Sequence, residues 1–384
     1  MRLFEYQAKE LLAARGLAVP ECALVDSPEQ AVAAAERIGF PCMLKAQVLQ
    51  GGRGKAGLIR KADNPQEAGK KAASLLSGGL SDSASGQPGP PAHRLLVEQY
   101  VPASRELYLS FSIDPSAACD LLLAAASGGV EIEELAVSDP QAVIREQVDP
   151  LLGPRAFQSR NLAHSLGLEG SAAGKLFGLL SRLHALFKEL DAELVEINPL
   201  FLTGEDDLVA GDAKIILDDN ALFRHPEFSL TREHFAGEAA FQAHQQGFPY
   251  VQFAGDISLM CAGAGLTNTV YDLVRDYGGE AACYLEFGGP NYRRALEAME
   301  LCLKSDSRVI LIVTFGTIAR ADVMAEGIVA AIQTLKPDRP VVTCIRGTNE
   351  EAATTTLKAA GLEPLFDTEE AVRRAVALAQ GDSA

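Results

Sequence analysis

The chain has 384 residues, 48% of them hydrophobic, a length that at ~150 residues per domain implies two or three domains with apolar cores of their own. Its formal net charge of −17 excludes nucleic acid and anionic membrane as partners and confines any anion site to a local basic pocket. No run approaches the ~18 apolar residues of a membrane helix, the first residues lack a leader's apolar core, and seven cysteines without a C-x-x-C pair read as reduced core residues, so a cytoplasmic location is expected.

In chain order, the first element with chemical content is a short strand, Met43-Leu44-Lys45-Ala46, running into the basic glycine-rich loop Gly51-Gly52-Arg53-Gly54-Lys55-Ala56-Gly57. Glycine lets backbone N–H groups approach phosphate oxygens closely, and Lys45, Arg53 and Lys55 supply the opposing charge. The loop is not a P-loop, which requires Gly where Leu49 stands and Ser or Thr where Ala56 stands. By itself a glycine-rich hairpin is more often only a turn. The polar stretch from Ser77 to Pro91 reads as a surface loop. Leu95 to Val101 reads as a strand carrying Glu98 and leaving through a short linker, and Glu106 opens the strand that follows. Later come Glu196-Ile197-Asn198-Pro199 and Ala210-Gly211-Asp212-Ala213-Lys214. Each ends an apolar run, the first at an Asn-Pro corner. Asn198 and Asp212 are placed to share one Mg²⁺, since that ion takes few protein oxygens and keeps its other positions for water and phosphate. The bland alternative is a turn asparagine and a solvated aspartate.

A polar link from His234 to Gly247 divides the chain into expected domains of residues 1–238 and 248–384. Beyond it, apolar runs near residues 256–261, 282–287, 308–315 and 340–345 alternate with helical stretches near 293–304 and 319–335. That rhythm predicts a doubly wound parallel sheet covered on both faces, a flavodoxin-like domain in an α/β protein. Ligands bind such sheets at the carboxyl ends of the strands, where three glycine-rich loops stand: Ala262-Gly263-Ala264-Gly265, Phe287-Gly288-Gly289-Pro290 and Phe315-Gly316-Thr317-Ile318-Ala319. The last feeds a helix, so Thr317, Ile318 and Ala319 are candidates to hold a phosphoryl group at its N-terminus. Tight turns that only let helices pack are the equal alternative. Arg293 and Arg294 read more simply as a solvated helix face than as an anion site.

The order of lysine strand, glycine loop, Glu98 linker, Glu106 and the Asn198/Asp212 pair is that of an ATP-grasp site. Together with Leu3-Phe4-Glu5-Tyr6-Gln7-Ala8-Lys9, Glu106-Leu107-Tyr108-Leu109, Gly128-Gly129-Val130-Glu131 and Asp219 to Arg224, it resembles the β subunit of ADP-forming succinyl-CoA synthetase along nearly the whole chain. The resemblance implies that Lys45, Gly52, Arg53, Gly54, Glu98, the Val101 backbone and Glu106 bind ATP (or GTP). It implies that Asn198 and Asp212 hold Mg²⁺, and that Glu196, with Arg53, acts at a phosphoryl-accepting histidine. None of the six histidines lies in a mobile, glycine-flanked context, so that histidine and the CoA site are expected on an α subunit, in an αβ or α2β2 assembly. The family carries Asn where Ala262 stands, Gly where Pro290 stands and Gly where Thr317 stands. The acid is therefore read as succinate or a related small anion such as malate, citrate or a sulfonated acid. A stand-alone carboxylate–amine ligase and a nucleotide-binding regulatory or structural paralogue remain as alternatives.

Overall fold

A computed structural model describes residues 1–49, 51–78, 92–316 and 318–381. The Ser77–Pro91 stretch therefore lies almost wholly outside the described residues, as does Thr317. Contacts divide the chain into two compact units, Met1–Leu230 and Thr231–Ala384. Among the described residues no helix is long and apolar enough to cross a membrane.

The first unit contains two sheets. Strands β1 (Cys22–Val25), β2 (Cys42–Ala46), β3 (Ile59–Ala62) and β4 (Leu95–Gln99) pair antiparallel in the order β1-β4-β2-β3. Two helices back them, and their starts are written in the sequence. Ser27 caps Pro28–Ile38 by accepting from Gln30 N–H, and Asn64 caps Pro65–Leu76 by accepting from Glu67 N–H, each with proline at the first helical position. Their inner faces are alanine-rich, with Ala31, Ala35, Ala68 and Ala72 fully buried, which brings the helices close.

The second sheet of this unit uses β5 (Ala103–Asp114), β6 (Cys119–Ala125), β7 (Val143–Val148), β8 (Ala192–Thr203), β9 (Leu208–Ala210) and β10 (Ala213–Leu217) in the order β10-β8-β5-β6-β7, with β9 on β8. Leu176, Leu180 and Leu183 of the Gly170–Glu189 helix belong to the same buried core as the strand residues Leu109, Phe111 and Val195. Two sequence expectations are corrected here. Glu106 lies inside β5 rather than opening a strand, and Asn198-Pro199 does not stop β8. Ile197 pairs with Leu109 and Leu200 with Leu107, so β8 spends one extra residue against its neighbour. The strand absorbs the proline, whose peptide bond to Asn198 is cis, in this irregularity, a place where a missing N–H is tolerated.

The second unit is built on β11 (Tyr250–Gln252), β12 (Ile257–Ala262), β13 (Ala281–Glu286), β14 (Val309–Gly316) and β15 (Val341–Gly347), ordered β11-β13-β12-β14-β15. The last four are parallel, and β11 is an antiparallel edge strand that the sequence pattern did not signal. Alternate residues face opposite sides. Met260, Ile310 and Ile312 share one core with the helices Ala295–Leu303, Ala321–Leu335 and Glu350–Ala359. Leu259, Cys261, Leu311 and Val313 share the other with Ala264–Asp276 and Thr368–Gln380. Burial on both faces explains the unbroken apolar runs. The stretch read as a polar link forms the helix Glu238–Gln246, because Ala239 and Ala243 bury one narrow face while the remaining polar positions stay outside.

Candidate active site

A cavity of about 450 Å³ opens in the first unit, within the size range of small-molecule pockets. Its wall brings together Lys45, Gly52, Arg53, Gly54, Glu98, Val101, Glu106, Glu196, Asn198 and Asp212, residues drawn from four separate parts of the chain. Lys45 arrives on β2 and Glu98 on the neighbouring β4, while Arg53 is carried in by the glycine loop. Asn198 and Asp212 come from β8 and from the turn between β9 and β10.

The charged groups form one connected network. Lys45 Nζ donates to Glu5 Oε1 at 2.9 Å, lies 2.8 Å from Glu98 Oε1, and donates to the Gly211 carbonyl at 2.6 Å. Lys9 Nζ pairs with Glu98 and donates to the same Gly211 carbonyl at 2.8 Å. Arg53 donates through Nη1 to Glu5 Oε2 at 2.6 Å, and through Nη2 to both Asp212 oxygens at 2.8 and 2.6 Å. Burial alone would push the Glu5 carboxyl up, but the charges of Lys45, Lys9 and Arg53 outweigh it and hold Glu5 well below the carboxylate range. Burial works against the charge on Lys45 and Arg53 as well, and here Glu5 with its neighbouring carboxylates overcomes it, so both cations are held more firmly than usual.

Asp212 behaves oppositely. Burial, with the Glu5 charge added, raises its carboxyl above the ordinary value despite Arg53, Lys45 and Lys9. Arg2, which the sequence reading passed over, is lowered by burial and by Arg53, while Asp212 and Glu196 support its charge. Glu196 is also raised by burial, against the opposing pull of Lys214 and a hydrogen bond from Tyr108. Tyr108 Oη lies 3.1 Å from Glu196 Oε2 and 3.0 Å from Ser110 Oγ. Ser110 and Lys214 flank Glu196 in register on the two neighbouring strands. Asn198 is pinned to the Gly129 loop, its Oδ1 accepting from Gly129 N–H at 2.7 Å and its Nδ2 donating to Val130 O at 2.9 Å. Glu106 packs beneath the same loop: a Cβ on Gly129 would lie 2.6 Å from Glu106 Oε2, and Gly129 has φ 71°.

Asn198 N–H donates to the Asp212 carbonyl at 3.2 Å, so the backbones that carry this amide and this carboxylate are joined, and both residues line the cavity. Among the described residues no three His, Cys, Asp or Glu side chains gather as a self-sufficient metal cage. A carboxylate and an amide on the wall of a nucleotide-sized cavity fit Mg²⁺ that completes its shell from phosphate and water.

Glu5, Arg2 and Lys214 on the cavity wall, with Lys9 and Tyr108 bonded to its carboxylates, are the residues missed as chemistry. The Glu5/Lys9 spacing of four was an available signal, since it sets opposite charges on one helix face, though such pairs usually lie in solvent. The other predicted residues belong to the second unit. Ala262 ends β12, Ile318 is 94% exposed, and Ala319 is half-buried behind it.

Family models match in two places, an ATP-grasp domain over residues 2–202 and a CoA-ligase domain over residues 260–378. The chain is 51% identical over 382 residues to the ADP-forming sulfoacetate-CoA ligase subunit SqwK of an Acholeplasma species, covering 100% of this chain and 92% of that one. It is 49% identical to the ADP-forming sulfoacetate-CoA ligase subunit SauC of Bilophila wadsworthia, covering 99% and 100%. To the ADP-forming succinate–CoA ligase β subunit of Ignicoccus hospitalis it is 41% identical, again over 99% and 100%. In fold it is similar to ATP citrate lyase of Methanothrix soehngenii, with a TM-score of 0.72 at 22% identity over 99% of both chains. A cation-lined cavity on an ATP-grasp scaffold, a mostly parallel second domain and full-length identity near one half lead to one conclusion: this chain belongs to the ATP-grasp family of ADP-forming acid–CoA ligase subunits.

Proposed function

We propose that this chain is the nucleotide-activating β subunit of an ADP-forming ligase that joins CoA to a small sulfonated acid, with sulfoacetate or a close analogue as the substrate. The observation that carries the nucleotide half is the meeting of Lys45, Arg53, Asn198 and Asp212 on one cavity wall. The acid is supported by the two sulfoacetate-CoA ligase subunits at 51% and 49% identity, against 41% for the succinate enzyme.

The γ-phosphoryl of ATP passes to a ring nitrogen of a partner-subunit histidine, releasing ADP. A carboxylate oxygen of the acid then takes the phosphoryl group to give an acyl phosphate, and the CoA thiolate attacks the acyl carbon, expelling inorganic phosphate. Lys45 and Arg53 neutralise the phosphates, with Arg53 leaving Asp212 and Glu5 to do so. The glycine loop at Gly52 and Gly54 supplies backbone N–H groups, and the linker at Val101 receives the base. Glu98 holds Lys45 in place, and Glu106 supports the opposite wall. Asn198 and Asp212 would hold Mg²⁺, which would supply charge neutralisation for the phosphoryl group being transferred. Glu196, kept in register by Ser110 and Lys214, orients the accepting histidine. In the second unit, the loop from Ala262 and the loop containing Thr317, Ile318 and Ala319 face the acid. We place the reaction in the cytoplasm, where the seven thiols stay reduced.

The test uses the chain alone and the chain co-expressed with its α subunit, each supplied with ATP, Mg²⁺, CoA and a panel of succinate, malate, citrate and sulfoacetate. ADP release dependent on both acid and CoA is expected only from the pair, with sulfoacetate leading in kcat/KM. Turnover by the chain alone refutes the two-subunit reading. Succinate leading by tenfold, about 1.4 kcal/mol, refutes the sulfonate assignment.

A further inference from the structure

We infer that Thr314 is a specificity-determining residue whose buried hydroxyl donates a hydrogen bond to the anionic head of the acid. The inference rests on the acid–CoA ligase reading above and deepens it by naming a side chain for acid recognition outside the glycine loops.

Thr314 stands two residues before the carboxyl end of β14 and is fully buried, yet its Oγ1 is without a hydrogen-bond partner among the described residues. An unpaired hydroxyl in an apolar interior destabilises a protein, whereas a valine of nearly the same shape would fill the site without that penalty. Its face of the sheet carries the apolar Met260, Ile312 and Ile345, and the other hydroxyls there, Ser258 and Thr343, both have hydrogen-bond partners. A polar group kept in such company needs a reason.

Its position supplies one. In the parallel part of the sheet β12 lies between β13 and β14, so the chain turns off in opposite directions from β12 and from β14. The gap at their carboxyl ends is the topological switch point where doubly wound sheets bind ligands. Thr314 pairs there with Ala262, placing one methyl group beside the hydroxyl on the same face. The neighbouring turn comes in as bare backbone: a Cβ on Gly288 would lie 3.0 Å from Gly263 N and 3.4 Å from the Ala262 Cα. The turn after β13 and the end of β12 therefore meet in close backbone contact. Rotation about χ1 exchanges the threonine methyl and hydroxyl without moving the strand, so the donor can turn to a bound oxyanion. A carboxylate or sulfonate oxygen is the acceptor this donor fits.

The experiment compares wild type, Thr314→Val and Thr314→Ser in the assembled complex, measuring KM for acid, ATP and CoA and the melting temperature of each. Valine is expected to raise the acid KM by about tenfold or more, the usual cost of a lost hydrogen bond to a charged group. The ATP and CoA values should stay within about twofold, and the melting temperature should hold or rise, because an unpaired hydroxyl has gone. Serine should retain most of the acid affinity. An unchanged acid KM in the valine variant overturns the inference. So does a fall in melting temperature with all three KM values rising together, which marks a hydroxyl that serves the fold. If wild-type complex forms no thioester with any acid of the panel, the ligase reading itself has failed and this assignment falls with it.

Discussion

Glu5 accepts from Lys45 through one carboxylate oxygen and from Arg53 through the other, and it lies 3.0 Å from Lys9, with essentially no exposure. Glu5→Gln keeps the shape and removes the charge, leaving three buried cations with two carboxylates, Glu98 and Asp212. Loss of about 3–5 kcal/mol is expected, read by denaturant titration of the chain. The pH dependence has a definite sign. Because the folded carboxyl is held below its unfolded value of about 4.3, its contribution is complete above that pH and is lost as pH falls toward the folded value. The stability gap between wild type and Glu5→Gln should therefore be widest near neutrality and narrow below about pH 4; a gap that widens on acidification contradicts the assignment. Lys45→Met tests the proposed phosphate contact, with ATP affinity expected to fall about 10- to 100-fold while acid affinity hardly moves. Equal losses for both ligands would count against it. Lys45, Arg53 and Asp212 were legible because strand, glycine loop and turn announce themselves locally. Glu5 and Lys9 were not, since a helical Glu/Lys pair looks the same in solvent as it does under a sheet.

Two short backbone devices control how the strands present these groups. One is the extra residue of β8 at Asn198-Pro199, which the sequence suggested as a strand end and which the sheet instead carries through. The other is the turn at Gly211, whose carbonyl accepts from both Lys9 and Lys45. A Cβ there would lie 2.3 Å from the Phe201 ring. Gly211→Ala must push the ring aside or move the carbonyl. The expected cost is about 1–3 kcal/mol of stability, with weaker ATP binding because both ammonium groups lose their shared acceptor. Calorimetry of the variant with and without nucleotide checks this, and an alanine variant with wild-type affinity and melting temperature would show the turn to be slack. The parallel strands of the second unit were readable from unbroken apolar runs, which only a sheet buried on both faces demands. The antiparallel β11 and the Glu238–Gln246 helix were not. Three residues are too few to show a period, and a helix burying only alanines has a polar composition.

At the scale of the whole molecule, the chain is strongly acidic while its pocket network is balanced. Lys9, Lys45 and Arg53 are matched by Glu5, Glu98 and Asp212, three charges against three, within contacts largely shielded from solvent. Cations neutralised in this way project little field outward. A nucleotide approaching from a distance meets the −17 of the chain before it meets Lys45. Encounter with MgATP is then opposed by long-range repulsion, and added salt relieves repulsion by shortening the Debye length from about 30 Å at 0.01 M to about 8 Å at 0.15 M. The association rate measured by stopped flow should accordingly rise with ionic strength, the reverse of a pocket that draws in its phosphates with unpaired surface lysines. A rate that falls as salt is added would mean that Arg53 spends much of its time released from Glu5 and Asp212. In the proposed reading, the nucleotide is recognised only on arrival, by exchanging internal ion pairs for phosphate rather than by reaching out for it.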